Sequence, residues 1–172
     1  MNKRGDAIVL VGFMGAGKSS VGRTLARMTG LPRFDTDELV GARFGLTIAE
    51  IFEKHGEEKF REAETEALRG LSGMGASVIV TGGGMVLRPE NRELLRELGT
   101  VIHLSANEET LFARISRRPT RPLLRTENPR QTVSELRAIR SPLYREIADT
   151  EVDTSSLSHD EVARRILESI KS

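Results

Sequence analysis

An octapeptide near the start of the chain limits what the rest can become. Gly12-Phe13-Met14-Gly15-Ala16-Gly17-Lys18-Ser19 follows directly on the apolar run Ala7-Ile8-Val9-Leu10-Val11. It has the spacing of a phosphate-binding loop (P-loop): Gly, four residues, then Gly-Lys and a hydroxyl residue. The flanks agree: the apolar run reads as a short buried strand, and Val21, Leu25 and Met28 recur at helical spacing. Glycines let backbone N–H groups curl around phosphate oxygens, and the start of the next helix adds the positive end of its dipole. Lys18 then reaches the β- and γ-phosphates of a nucleoside triphosphate, and the Ser19 hydroxyl meets Mg²⁺. A glycine-rich turn that merely caps a helix has no use for the Lys18-Ser19 pair.

Composition narrows the class. A chain of 172 residues buries one good core, with room for small appended lobes. No apolar run approaches the ~20 residues of a membrane span, and residues 1–6 lack the pattern of a secretory signal. The expected address is the cytoplasm, with no membrane partner. The absence of cysteine removes disulfides, thiol nucleophiles and cysteine-built zinc sites. His55, His103 and His159 have no metal-ligand spacing, and His103 lies in an apolar strand pattern, as a packed core residue would. A net charge of +1 gives no support to a nucleic-acid partner. Charge is concentrated locally: residues 114–130 hold six arginines against the single acid Glu127. Guanidinium forks suit phosphate and carboxylate recognition.

Taken in order, strands are expected at about 7–11, 31–34, 77–81, 101–104 and 151–154, with helices between them. Asp35 and Asp37 fall at the end of the second strand, where ligands sit in open parallel sheets. One could face Mg²⁺ or its waters and the other accept a hydroxyl proton, or either could simply cap the next helix. Thr47 and Glu50 form a capping box, Gly56 breaks that helix, and residues 57–71 continue as a longer one with Phe60, Ala63, Ala67 and Leu68 inward. Arg61 and Glu64, three apart on it, read by themselves as a surface ion pair. Gly82-Gly83-Gly84 closes the third strand and suggests backbone that a ligand approaches closely. Residues 117–125, with two prolines and four arginines, read as a loop that can move over phosphates. A helix from Asn128-Pro129 to about residue 148 carries Leu136, Ile139, Leu143 and Ile147 inward, with Arg140 and Tyr144 on an adjacent side. Ser158 and Glu161 form a second capping box. Strands alternating with helices predict one α/β domain spanning 1–172: a five-stranded parallel sheet between helical layers, a substrate lobe at about 36–72 and a lid at about 115–128.

These blocks together resemble shikimate kinase over about residues 7–170. They are the P-loop; Phe34-Asp35-Thr36-Asp37; Gly56-Glu57 with Phe60-Arg61 and Glu64; the triple glycine; Arg121-Pro122-Leu123-Leu124; and Arg140 with Tyr144. The resemblance implies transfer of the ATP γ-phosphoryl to the 3-hydroxyl of shikimate on a nucleoside-monophosphate-kinase-type fold. It implies Arg61 and Arg140 on the substrate carboxylate, with Glu64 orienting Arg61, and Gly83 and Gly84 offering backbone contacts. Asp37 resembles the residue that binds substrate hydroxyls and serves as base. Asp35 would join Ser19 in holding Mg²⁺. Gly15, Ala16, Gly17, Lys18, Ser19 and Ser20 would bind the ATP phosphates, Arg114 would lie against adenine, and Arg121 would close from the lid. His103 stands where the family often has an aromatic, and Ser155-Ser156-Leu157 departs from the family pattern.

Rival readings are a gluconate-kinase-like enzyme on the same scaffold and a non-catalytic ATP-binding module. Arg61, the triple glycine and Arg140 together speak against the first. The joint presence of Lys18, Asp37 and Arg121 speaks against the second. A monomer is expected, because no exposed apolar stripe is evident.

Overall fold

The apolar run after the first six residues becomes the middle of a sheet. In the computed structural model, which describes residues 4–118 and 125–172, β1 (Ala7–Val11) is buried at every position. A strand buried on both faces needs neighbours on both edges and helices above and below. β1 pairs in parallel with β3 (Val78–Val80) and β4 (Gly99–Ser105), which pair in turn with β2 (Arg33–Asp35) and β5 (Thr150–Asp153). The resulting order, β2-β3-β1-β4-β5, is the five-stranded parallel sheet expected from the alternation of elements.

The crossovers are α1 (Lys18–Thr29), α2 (Thr36–Phe44), α3 (Ile48–Leu71), α4 (Pro89–Leu98), α5 (Glu108–Ser116), α6 (Pro129–Ile147) and the terminal α7 (His159–Lys171). α1 packs with α7, while α4 packs with α3 and α6. One large core fills the space around the sheet, and a smaller one of Val40, Ile51, Phe60 and Ala63 joins α2 to α3. Local chemistry explains the boundaries. Gly30 ends α1 in the left-handed region, and Pro89 occupies the first turn of α4, where no N–H is needed. Ser158 and Glu161 cap α7 reciprocally, but at the start of α3 only the Thr47 half of the expected box forms, accepting from Glu50 N.

Two expectations shift. β2 starts two residues later than expected and passes straight into α2. Asp35 captures the first free N–H groups there, accepting from Asp37 N at 2.9 Å and Glu38 N at 3.3 Å. Gly56 breaks α3 as expected: its φ of 83° and ψ of 167° are non-helical, and two helical stretches meet there at a kink. On α6, Ile139 is 60% exposed and the buried positions are Val133, Tyr144 and Ile147. The helix is rotated so that its half-buried Arg140 and its tyrosine turn toward the end of β3 rather than toward solvent.

His103 is a packed core residue. It is 3% exposed on β4, with its ring centroid 5.1 Å from that of Tyr144 and Nδ1 3.7 Å from Glu151 Oε2. Burial lowers its pKa from 6.5 to about 4, with the Arg145 and Lys18 charges adding to the effect and Glu151 opposing it. As pH falls from about 6.5 to about 4, the unfolded chain binds a proton that the folded chain refuses. The contribution of His103 is complete above that window and is lost on descending through it. Asp149 and Glu151, whose pKa values are lowered, lose theirs only at more acidic pH. Urea unfolding should therefore show stability declining between about pH 6.5 and 4, and His103→Phe should flatten that decline. An equally steep decline in the variant would assign it to another group.

Candidate active site

The loop after β1 turns back on itself through Gly15 (φ 81°) and Gly17 (φ 97°), conformations open to glycine at little cost. Gly17 is the N-cap of α1 and supplies no side chain, which leaves the first-turn N–H groups of α1 for an anion. Lys18 is 8% exposed and donates to the carbonyls of Gly12 (2.6 Å) and Phe13 (3.0 Å). These bonds hold the ammonium inside the cradle of the loop.

A second glycine loop lies beside the first. Thr81, at the end of β3, donates its hydroxyl to Leu10 O at 2.8 Å, and Gly82 N donates to Thr36 Oγ1 at 3.1 Å. At the triple glycine the close approach comes from the protein's own charged groups. A Cβ on Gly82 would lie 2.8 Å from Asp37 Oδ1 and 3.2 Å from Glu64 Oε1. One on Gly84 would lie 2.4 Å from Arg61 Nη1, and one on Gly83 would lie 3.5 Å from Arg140 Nη1. Asp37, Arg61, Glu64 and Arg140, drawn from three helices, thus converge on three consecutive peptides.

Arg61 and Glu64 do not form the surface pair that their spacing alone suggests. The Glu64 side chain is 1% exposed and that of Arg61 12%, with Nη1 and Oε2 at 2.9 Å. Glu57 meets the other end of the same guanidinium at 3.3 Å, and the ring of Phe60 lies under it. Burial raises the pKa of Glu64, the Arg61 charge and hydrogen bond oppose the rise, and nearby Asp37 adds to it. Arg140 packs its guanidinium against the Phe13 ring, and its buried Nε has no hydrogen-bond partner.

Between the loops lies a cleft of about 420 Å³. Residues 14–21 and 80–83 line it with Asp35 and Asp37, and Arg114, Arg117, Arg118 and Thr154 complete its polar wall. Arg114 is fixed from two sides, donating to Gly15 O at 3.1 Å and to Thr154 Oγ1 and O at 3.0 and 2.8 Å. Thr154 in turn donates to Ala16 O at 2.9 Å. Sequence reading gave Thr154 no role, although its position at the end of a parallel strand is the usual signal for a ligand-side residue. Arg121 lies outside the described residues, as does the rest of 119–124 within the segment expected to form a lid.

Ser19 and Asp35 are the residues suited to Mg²⁺. Asp35 spends Oδ1 on the α2 cap, while Oδ2 stands 3.7 Å from Arg33 Nη1. Among the described residues no three His, Cys, Asp or Glu side chains cluster as a metal cage. One hydroxyl and one carboxylate suit Mg²⁺, which keeps most of its waters and leans on substrate phosphates.

A family model described as shikimate kinase matches residues 14–171. The chain belongs to the shikimate kinase family. Shikimate kinase of Ralstonia nicotianae is 48% identical over 160 residues, covering 93% of this chain and 84% of that protein. That of Geobacter sulfurreducens is 44% identical over 162 residues, covering 94% and 89%. The structure of shikimate kinase from Acinetobacter baumannii in complex with shikimate superposes with a TM-score of 0.92 at 41% identity, covering 99% and 94% of the two chains. A gluconokinase from Sinorhizobium meliloti, at 22% identity and a TM-score of 0.60 over 98% and 94% of the chains, shares the fold alone.

The buried pair makes a stability prediction. Glu64→Ala leaves a buried guanidinium with only its more exposed partner, Glu57, and should cost about 3 kcal/mol in urea unfolding. Glu64→Gln keeps shape and one acceptor, and should cost clearly less. Losses below about 1 kcal/mol for both would mean that the pair behaves as an exposed one.

Proposed function

We propose that the residues gathered on the two glycine loops carry out the reaction of the family, passing the γ-phosphoryl group of ATP to the 3-hydroxyl of shikimate and releasing shikimate 3-phosphate and ADP. The observation that carries this reading is the convergence of Asp37, Arg61 and Arg140 on residues 82–84, next to the phosphate loop. Shikimate has one carboxylate and three hydroxyls. Arg61, held by Glu64, and Arg140 grip the carboxylate with guanidinium forks, and the peptides of Gly83 and Gly84 contact the ring.

Asp37 accepts from the 3-hydroxyl, aims it, and takes its proton as the new O–P bond forms and the bond to the ADP oxygen breaks. In a loose transition state little deprotonation is needed before that point, so aim contributes more than basicity. Backbone N–H groups of residues 15–20 hold the phosphates, and Lys18 leaves its two carbonyls to neutralise charge on the transferring group. Arg121 adds a second positive charge from the lid. Arg114, pinned between Gly15 and Thr154, presents a rigid plane to adenine. Ser19 and Asp35, the latter through water, would hold Mg²⁺, which would supply charge neutralisation to the ATP phosphates. The protein works as a monomer in the cytoplasm, on small molecules rather than nucleic acid or membrane. No helix among the described residues is long and apolar enough to cross a bilayer.

A coupled ADP-release assay with Mg-ATP, offering shikimate and gluconate in parallel, tests the whole reading. Turnover is expected on shikimate alone. Turnover on gluconate would reassign the acceptor, and ATP binding without turnover on either would make the chain a non-catalytic module. Lys18→Ala and Arg121→Ala should each lower kcat about 10²-fold or more. A variant that keeps near-normal kcat takes its residue out of the phosphoryl site. Arg61→Ala should raise the KM for shikimate and leave that for ATP alone, and an unchanged shikimate KM would limit Arg61 to holding α3.

A further inference from the structure

Tyr144 is the largest fully buried side chain of the described residues, 1% exposed, and it stands one helical turn after Arg140 on α6. Its hydroxyl donates to the carbonyl of Gly83 at 2.5 Å. Its ring lies tilted by 33° against His103, which belongs to the centre of β4. Gly83 is wedged between two groups: the site of a Cβ there is 3.5 Å from Arg140 Nη1 and 3.5 Å from Met14 N of the phosphate loop. The peptide that Tyr144 grasps therefore separates the cation of the acceptor site from the backbone that cradles phosphate.

We infer that Tyr144 is a positioning residue: through the Gly83 carbonyl it holds the middle peptide of the glycine loop, and with it the gap between Arg140 and the phosphate loop, at the width that aligns acceptor with donor. This rests on the assignment of Arg140 and the glycine loop to shikimate. The geometry supplies each part of the device. His103 on β4 fixes the ring plane relative to the sheet, the helix fixes the hydroxyl relative to Arg140, and the hydrogen bond fixes the peptide relative to both. Burial raises the pKa of Tyr144, and the Arg140 guanidinium beside it opposes that rise only in part. The phenol therefore stays protonated and remains a donor at working pH. Phenylalanine would preserve the ring and its packing and remove only the hydroxyl, leaving the Gly83 peptide free to rotate.

The experiment compares the full chain with Tyr144→Phe and Arg140→Ala, measuring KM for both substrates, shikimate binding by titration calorimetry, and Tm. Tyr144→Phe should raise the shikimate KM and the dissociation constant about tenfold, leave the ATP KM within about twofold, and shift Tm by only a few degrees. Tyr144→Leu, lacking ring and hydroxyl, should lose more Tm while keeping the same split between the two substrates. An unchanged shikimate KM in Tyr144→Phe, with Arg140→Ala impaired, would overturn the inference alone and leave Tyr144 a packing residue. Unchanged shikimate binding in both variants would overturn the site assignment and the inference with it. Equal rises in both KM values would also overturn it, because a shifted gap acts on the acceptor and not on ATP.

Discussion

Thr81 bonds the carbonyl of Leu10 twice, through its backbone N–H at 3.3 Å and its hydroxyl at 2.8 Å. That small contact closes the ladder between β1 and β3 at the point where both strands stop, with Leu10 opposite Val80 in register. One residue further on, each chain enters its glycine-rich loop. The loops therefore leave the sheet side by side, at the end of the barrel-free parallel sheet where helix starts also point. Had β3 paired one residue out of step, its side chains would exchange faces and the glycine loop would no longer meet Asp37 and Arg61.

Concentrating so many cations in one place has an electrostatic cost, and each is met differently. Lys18 rests on two neutral carbonyls, Arg114 on two carbonyls and a hydroxyl, Arg61 on two carboxylates, and Arg140 on the face of Phe13. The differences matter chemically. A cation paired with a buried carboxylate has part of its field cancelled and its orientation fixed. Arg61 is the oriented one: Glu64, buried beside it, holds its Nη1 at 2.9 Å. Both guanidiniums keep a buried Nε without a hydrogen-bond partner, and they differ in what meets their other nitrogens: carboxylates at Arg61 and the Phe13 ring at Arg140.

Much of this was legible in the residues. The phosphate loop, the alternation of strands and helices and the capping box at Ser158 are local signals, and local physics decided them. What spacing could not tell was which side of an element meets which neighbour. Arg61 and Glu64 have the same i,i+3 spacing whether they face water or a glycine loop, and only the packing of α3 against that loop buries them. Ile139 looked like a core residue because the α6 stripe was drawn through the most apolar positions. The real stripe includes Arg140 and Tyr144, because polar groups that converge on a site are buried there despite their polarity. Asp35 illustrates the same limit. Capping and metal binding were both open from sequence, and the cap occupies one oxygen while leaving the other beside Arg33.

The phosphate loop is clamped from both sides of the sheet, and the two clamps divide the labour. On one side Thr81 ties the root of the loop, at Leu10, to β3 and so to the acceptor residues. On the other, Thr154 at the end of β5 ties Ala16 to β4 through Ser105 O at 3.1 Å and anchors Arg114. Both are threonines just past a strand end, each giving its hydroxyl to a backbone carbonyl at the root of or within the phosphate loop. A loop held at its root by one neighbour and at its crest by the other has little freedom to relax when a phosphate leaves. Its N–H groups then meet the next nucleotide already oriented, so little reorganisation remains for the transition state to cost. The rigidity comes from two side chains outside the glycine motif, which is why the motif alone, read as a string of residues, specifies the ligand and not the precision with which it is held.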